Sequence, residues 1–158
     1  MLNRFEYEIR RELDKLQKIG VYYFRLYDTK TFRQVSEKII AIKQPCDFIA
    51  IYNGKTYLLE LKSSKLSPSY KLKYIKEHQI KSLIEANRSG NGNVVGTFLI
   101  SNRSNVRNLK CYVVSPERIN NLVKSGAKSI KWEHLKKISL MEIPRRKGGW
   151  DLIKLFNI

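Results

Sequence analysis

A chain of 158 residues is one domain by size and long enough to bury a core, and 42% hydrophobic with 11% aromatic content argues against a disordered segment. Lys and Arg number 31 against 14 Asp and Glu, and the resulting net charge of +17 is spread along the whole chain. Such a balance suits a polyanionic partner, nucleic acid before an acidic membrane. Two distant cysteines, Cys46 and Cys111, and two solitary histidines, His78 and His134, argue against a structural zinc site. No signal peptide or apolar run of membrane-spanning length is present, so a cytoplasmic chain with reduced, buried thiols, one domain over 1–158, no membrane partner and no small-molecule cofactor is expected.

Leu2, Phe5, Ile9, Leu13 and Leu16 recur at helical spacing and predict a helix from Leu2 to Ile19, stopped by Gly20. Glu6 and Glu12 flank this stripe. Periodicity does not choose which of them reaches a site beneath the helix, or whether both are solvated. Val21 to Tyr27 is a β-rich run, and Ile39, Ile40 and Ile42 suggest a further strand before Lys43-Gln44-Pro45.

The central stretch runs from Pro45 to Lys62. Two apolar runs flank Asn53-Gly54, a dipeptide that tolerates positive φ at both positions and favours a two-residue hairpin turn. That turn sets Tyr52 opposite Lys55 and Asp47 opposite Glu60. Alternation along the second strand then puts Lys62 on the same face as Glu60. Two opposed carboxylates in apolar strands repel. A hard divalent cation between them would turn the repulsion into a binding site, and a cation, carboxylates and one lysine suit phosphodiester hydrolysis. The alternative is a surface salt bridge on an exposed hairpin.

A polar loop follows Lys62. Lys71 to Arg88 then reads as a helix with the stripe Leu72, Ile75, Leu83 and Ala86, and Gln79 stands inside that stripe. An amide there must be hydrogen-bonded or serve a site. Val94–Ile100 and Leu109–Val114 are predicted strands. Ser115-Pro116 opens a short helix that ends near Gly126. Lys131 to Lys137 suggests another helical turn, residues 143–149 a basic mobile loop, and Trp150 to Ile158 a short amphipathic helix. Tyr70 and Tyr74 are read either as packing residues or as platforms for an unpaired base.

The order of helix, strands, Asp…Glu-x-Lys hairpin, helix and two strands resembles the restriction-endonuclease-like core of the PD-(D/E)xK nucleases, an α/β fold with a central mixed sheet flanked by helices in the order α-β-β-β-α-β-β. Across most of its length the chain resembles the RecU-type Holliday junction resolvases. The resemblance rests on Phe5-Glu6 with Ile9 and Gly20, on Lys43-Gln44-Pro45 before Asp47, on the spacing of Asp47, Glu60 and Lys62, on His78-Gln79-Ile80, and on Trp132 with Ile143-Pro144. The family's Thr two residues before the metal Asp is Pro45 here, and the family's stalk-forming segment is short, spanning Asp28 to Gln44.

The resemblance implies a Mg²⁺-dependent endodeoxyribonuclease, with Mn²⁺ as a substitute, that makes paired nicks in four-way DNA junctions, leaves 5′-phosphates and works as a homodimer. It makes Asp47, Glu60 and Gln79 the metal residues, with help expected from the Leu61 backbone carbonyl. Lys62 is the catalytic lysine, and Glu6 is expected to hold Lys62 or a water of the cation. Lys43, Lys65, Lys71, Lys73, Arg145, Arg146 and Lys147 are candidate phosphate contacts. Two other readings share parts of this pattern: a restriction or repair nuclease that cuts linear duplex, and a non-catalytic basic nucleic-acid-binding protein.

Overall fold

The computed structural model describes residues 3–27 and 43–156. The strand expected from Ile39, Ile40 and Ile42 lies outside them. The first helix, α1, spans Arg4–Leu16, with the Asn3 side chain accepting the Glu6 N–H at 2.9 Å. Its stripe of Phe5, Ile9, Leu13 and Leu16 is buried, worth roughly 2 kcal/mol per side chain. A 3-10 turn, Gln17–Ile19, follows, and Gly20 at φ +95° ends the helical path.

β1 (Tyr22–Arg25), β2 (Phe48–Tyr52) and β3 (Lys55–Ser64) form an antiparallel meander. Asn53 and Gly54 both have positive φ, +47° and +75°, as the predicted two-residue turn requires. The register is the expected one, with Tyr52 opposite Lys55 and Phe48 opposite Leu59. A short β4 (Ser69–Lys71) precedes α2 (Glu77–Ser89), and α2 crosses over to β5 (Val94–Asn102), which runs parallel to β3. Then come β6 (Lys110–Val114), α3 (Pro116–Lys124), β7 (Ser129–Lys131), α4 (Trp132–Ile138) and β8 (Met141–Glu142). The main sheet has the order β1-β2-β3-β5-β6-β8, so the expected central mixed sheet flanked by helices is present, and β4 pairs with β7 beside it.

Three expectations are corrected. The helix predicted from Lys71 begins only at Glu77, because Ser69–Lys71 is drawn into β-pairing with β7 and a 3-10 turn, Leu72–Tyr74, follows. The basic stretch at 143–149 is not a loose loop: β9 (Arg145–Arg146) and β10 (Gly149–Trp150) form a hairpin turned by Lys147 and Gly148, the latter at φ +79°. Trp150 is therefore a strand residue, and the predicted terminal helix is reduced to a 3-10 segment, Leu152–Phe156.

The sheet has two differently covered faces. Phe48, Ala50, Tyr57, Leu59 and Leu61 pack with the α1 stripe, Trp150 and Phe156. Phe98, Ile100 and Val114 pack with Ile80 and Leu83 of α2, Ile119 of α3 and Leu135 of α4. Alternation along β3 therefore turns Leu61 toward α1 and Glu60 and Lys62 toward α2.

Candidate active site

Asp47 stands one residue before β2. Its N–H donates to the Leu59 carbonyl at 3.1 Å and its carbonyl accepts the Leu26 N–H at 2.9 Å, so its backbone bonds the chain on each side rather than along one edge, a bulge-like irregularity just ahead of β2. The paired register ends with Phe48 opposite Leu59, and Asp47 lies close enough to Glu60 for its charge to act on that carboxyl. Asp47 Oδ2 accepts the Leu61 N–H at 2.7 Å. The N–H and C=O of one strand residue leave on the same edge. Thr56 N–H points to the β5 side, onto the Asn93 carbonyl, so odd-numbered groups of β3 face β2. The Leu61 carbonyl thus faces the Asp47 side, beyond the last β2–β3 pair.

Glu60 is 2% exposed. Its Oε1 accepts from Lys62 Nζ at 2.7 Å and from Gln79 Nε2 at 2.5 Å. Gln79 lies in the first turn of α2, where its Oε1 also accepts the Lys76 N–H at 3.1 Å. The amide in the apolar stripe therefore ties the start of the helix to the carboxylate on the sheet. Burial, then the Asp47 charge, push the Glu60 carboxyl up to about 7 despite Lys62. Cys46, buried beside both carboxylates, is pushed up to about 12, first by burial and then by Glu60 and Asp47.

Glu6 reaches the same end of the sheet from α1. Its carboxyl is raised by burial and by Asp47, partly offset by Arg25, whose Nη2 lies 3.3 Å from Glu6 Oε2. The expected pairing of Glu6 with Lys62 is replaced by Glu6–Arg25 and Lys62–Glu60, because α1 and Lys62 lie on opposite faces of the sheet. Glu12 is elsewhere, paired with Lys15 at 2.7 Å and packed against Gly149. Arg25 was not singled out in the sequence; a charged residue ending an aromatic strand run was its only signal.

Among the described residues, no group of three or more His, Cys, Asp and Glu side chains is arranged to hold a metal ion. The candidate donor set is two carboxylates and a backbone carbonyl, hard oxygen donors of the kind Mg²⁺ takes alongside water and phosphate, with the Gln79 amide holding Glu60 through its Nε2. It fits such a cation electrostatically, since the Asp47 charge raises the proton affinity of Glu60 and a positive ion between them would relieve that.

The proposed phosphate contacts divide into two groups. Lys43, Lys65, Lys71, Lys73 and Lys147 are exposed, and the Lys43 charge acts on Glu77 and His78 at the start of α2. Lys71 and Lys73 line a separate groove of about 740 Å³ beside α3. The arginines depart from expectation. Arg145 turns onto Glu8 at 3.1 Å and over the Trp150 ring, and Arg146 pairs with Asp151 at 2.6 Å, because the hairpin folds both side chains back onto the body of the protein. Tyr70 is buried against Trp132 and is a packing residue, while Tyr74 is 47% exposed. Glu8 is the acidic residue that sequence reasoning passed over. It is buried, takes Arg103 through two bonds at 3.0 and 3.3 Å, and accepts the Trp150 indole N–H at 3.0 Å.

A mixed sheet that carries Asp at one strand's start and Glu-x-Lys on its neighbour, backed by an amide from the following helix, is the arrangement that defines the PD-(D/E)xK nuclease class. The family model for recombination protein U, RecU, matches residues 7–150, and the chain belongs to that family. Among solved structures, Hjc of Archaeoglobus fulgidus, a Holliday junction resolvase from an archaeal hyperthermophile, is similar at 14% identity and a TM-score of 0.49, covering 85% of this chain and 93% of that one. No curated protein matches the chain in sequence. No helix among the described residues is long and apolar enough to cross a membrane.

Proposed function

We propose that this protein is a Holliday junction resolvase, an endonuclease that makes paired symmetric nicks in four-way DNA junctions and depends on Mg²⁺, with Mn²⁺ able to substitute. The observation that carries the reading is the meeting of Asp47, Glu60, Lys62 and Gln79 at one end of the sheet in a chain of the RecU family. Asp47, Glu60 and the Leu61 carbonyl are the groups that would hold the cation. When bound, it would neutralise phosphate charge and make water a better nucleophile.

The chain's own groups do the rest. Gln79 fixes the Glu60 carboxylate by its amide hydrogen bond, and Leu61 N–H fixes Asp47. Lys62 presents a positive charge where negative charge develops on the phosphate as water attacks in line. The bond to the 3′-oxygen breaks, leaving a 5′-phosphate and a 3′-hydroxyl. Glu6, oriented by Arg25, keeps a third carboxylate beside Asp47. A homodimer follows from the substrate, because two opposed nicks in a two-fold symmetric junction need two sites related by a two-fold axis.

The test is a gel assay with a labelled four-way junction beside linear duplex of the same sequence, with Mg²⁺ or EDTA, for wild type and Asp47→Asn. Symmetric cuts in the junction alone, lost with EDTA and in Asp47→Asn, are the expected result. Equal cutting of linear duplex would overturn the junction specificity, and binding without cutting would overturn the nuclease reading.

A further inference from the structure

On the α1 face of the sheet, a cavity of about 350 Å³ opens beside the end of β3. Asn3, Arg4, Ser63, Ser64, Lys65 and Arg103 line it. Its charge is unbalanced. Two of its lining arginines, Arg4 and Arg103, and Arg145 from outside the lining turn to one carboxylate, Glu8, at 3.4, 3.0 and 3.1 Å, so three guanidinium groups share that negative charge before Lys65 is counted. Like charges held this close raise the energy of the protein alone, and an anionic ligand would lower it.

The cluster is also built rather than incidental. The Arg103 side chain is 8% exposed and held bidentate by Glu8, a geometry that fixes the guanidinium plane. Arg103 N–H donates to the Ser64 carbonyl at 2.8 Å, which ties the loop after β5 to the end of β3. Arg4 is different: its side chain is 79% exposed and meets Glu8 through Nε, so its terminal amino groups are not part of that contact.

Ser63 and Ser64 directly follow Lys62, so the cavity lies roughly 3–7 Å further along β3 than the catalytic lysine, on the opposite face of the sheet. A strand passing over the end of β3 would leave the scissile phosphate on the Glu60–Lys62 side and a neighbouring phosphate on the Arg4 side. We infer that this cavity is a binding subsite for a phosphodiester of the DNA strand flanking the scissile phosphate. Arg4 and Lys65 are its contact residues and Glu8 with Arg103 its positioning residues; the inference rests on the nuclease reading above.

The experiment measures binding of a fluorescent four-way junction in EDTA, by anisotropy, across a salt series. Wild type is compared with Arg4→Gln, Lys65→Gln and, as a control, Lys137→Gln, which is exposed on α4. Loss of one phosphate contact should weaken binding about two- to fivefold and lower the slope of log affinity against log salt by about 0.9, and Lys137→Gln should change neither. Junctions that carry one neutral methylphosphonate, moved stepwise along the cut strand, locate the contact. Wild type should lose affinity at one position next to the cleavage site, and Arg4→Gln should be insensitive there. Equal slopes and equal methylphosphonate profiles for wild type and Arg4→Gln would overturn the subsite. If the junction is cut but Arg4→Gln binds as wild type does, the subsite alone fails. If nothing is cut but the Arg4 and Lys65 variants lose slope, the nuclease reading fails and a phosphate site remains.

Discussion

Glu60 is the residue under most electrostatic stress. Burial and the nearby Asp47 raise its carboxyl from 4.5 to about 7, so folding favours its protonated form. The sign follows from linkage. Its contribution to stability is present below its ordinary range and is lost as pH rises through about 7, a change on the order of a few kcal/mol in the metal-free protein. Glu6, raised by burial and then by Asp47, adds in the same direction. Asp47→Asn removes the second cause acting on both. In EDTA, urea unfolding should therefore find Asp47→Asn more stable than wild type at pH 8, with the gap closing toward pH 4.5. A gap that does not change with pH would mean that Asp47 is not the charge acting on Glu60. The proximity of Asp47 to Glu60 was legible in the sequence, because one turn dipeptide sets the register as far as Phe48 opposite Leu59; the expected direct opposition of the two is not kept, since Asp47 N–H bonds the Leu59 carbonyl. The partners of Glu6 were not legible, since which face α1 covers is decided by packing of strands distant in sequence.

At the scale of elements, the site depends on how closely α2 lies on β5. Asn87 clasps Gly96, its Oδ1 accepting the Gly96 N–H and its Nδ2 donating to the Gly96 carbonyl at 3.1 Å. A Cβ at Gly96 would meet the Leu83 carbonyl oxygen at 2.9 Å, so the helix could not stay where it is. Gly96→Ala should destabilise the fold by about 1–3 kcal/mol in urea titration. It should also lower cleavage activity more than junction binding, because α2 carries Gln79 to Glu60. A loss of stability with no change in activity would show that the Gln79–Glu60 contact tolerates movement of the helix. The elements that periodicity predicts well are those with long one-sided stripes or sharp turn chemistry: α1, the β2–β3 hairpin, and α3 with its Ser115 cap and Pro116. It failed at β4 and at the β9–β10 hairpin, whose few residues pair with segments far away or carry no alternation long enough to read.

For the whole molecule, the proposed cation at the buried Glu60 and half-buried Asp47 would add stability by mass action. At a concentration one hundred times its Kd, Mg²⁺ should add about 2.7 kcal/mol to stability. Calorimetry or thermal melting at pH 8 should show that increment in wild type and not in Asp47→Asn. An equal shift in both proteins would point to non-specific binding of the cation. The net charge of +17 acts on the same scale, as the long-range attraction that brings a polyanion to the surface before any specific contact forms.

The sequence by itself placed Lys62 on the Glu60 face of one strand and Asp47 near them, because a two-residue turn and a strand period of two are local geometry; that Gln79 bonds Glu60 was decided by where α2 begins, at Glu77 rather than Lys71. The sequence also determined the basic character of the protein. Only the tertiary structure decided where the other carboxylates lie and which arginines pair with them. Glu6 stands beside Asp47, Glu12 lies against Gly149, and Glu8 becomes a buried hub for Arg4, Arg103 and Arg145. The physical reason is that a buried ion pair exists only where separate segments bring opposite charges together out of water. No local pattern records which segments those will be.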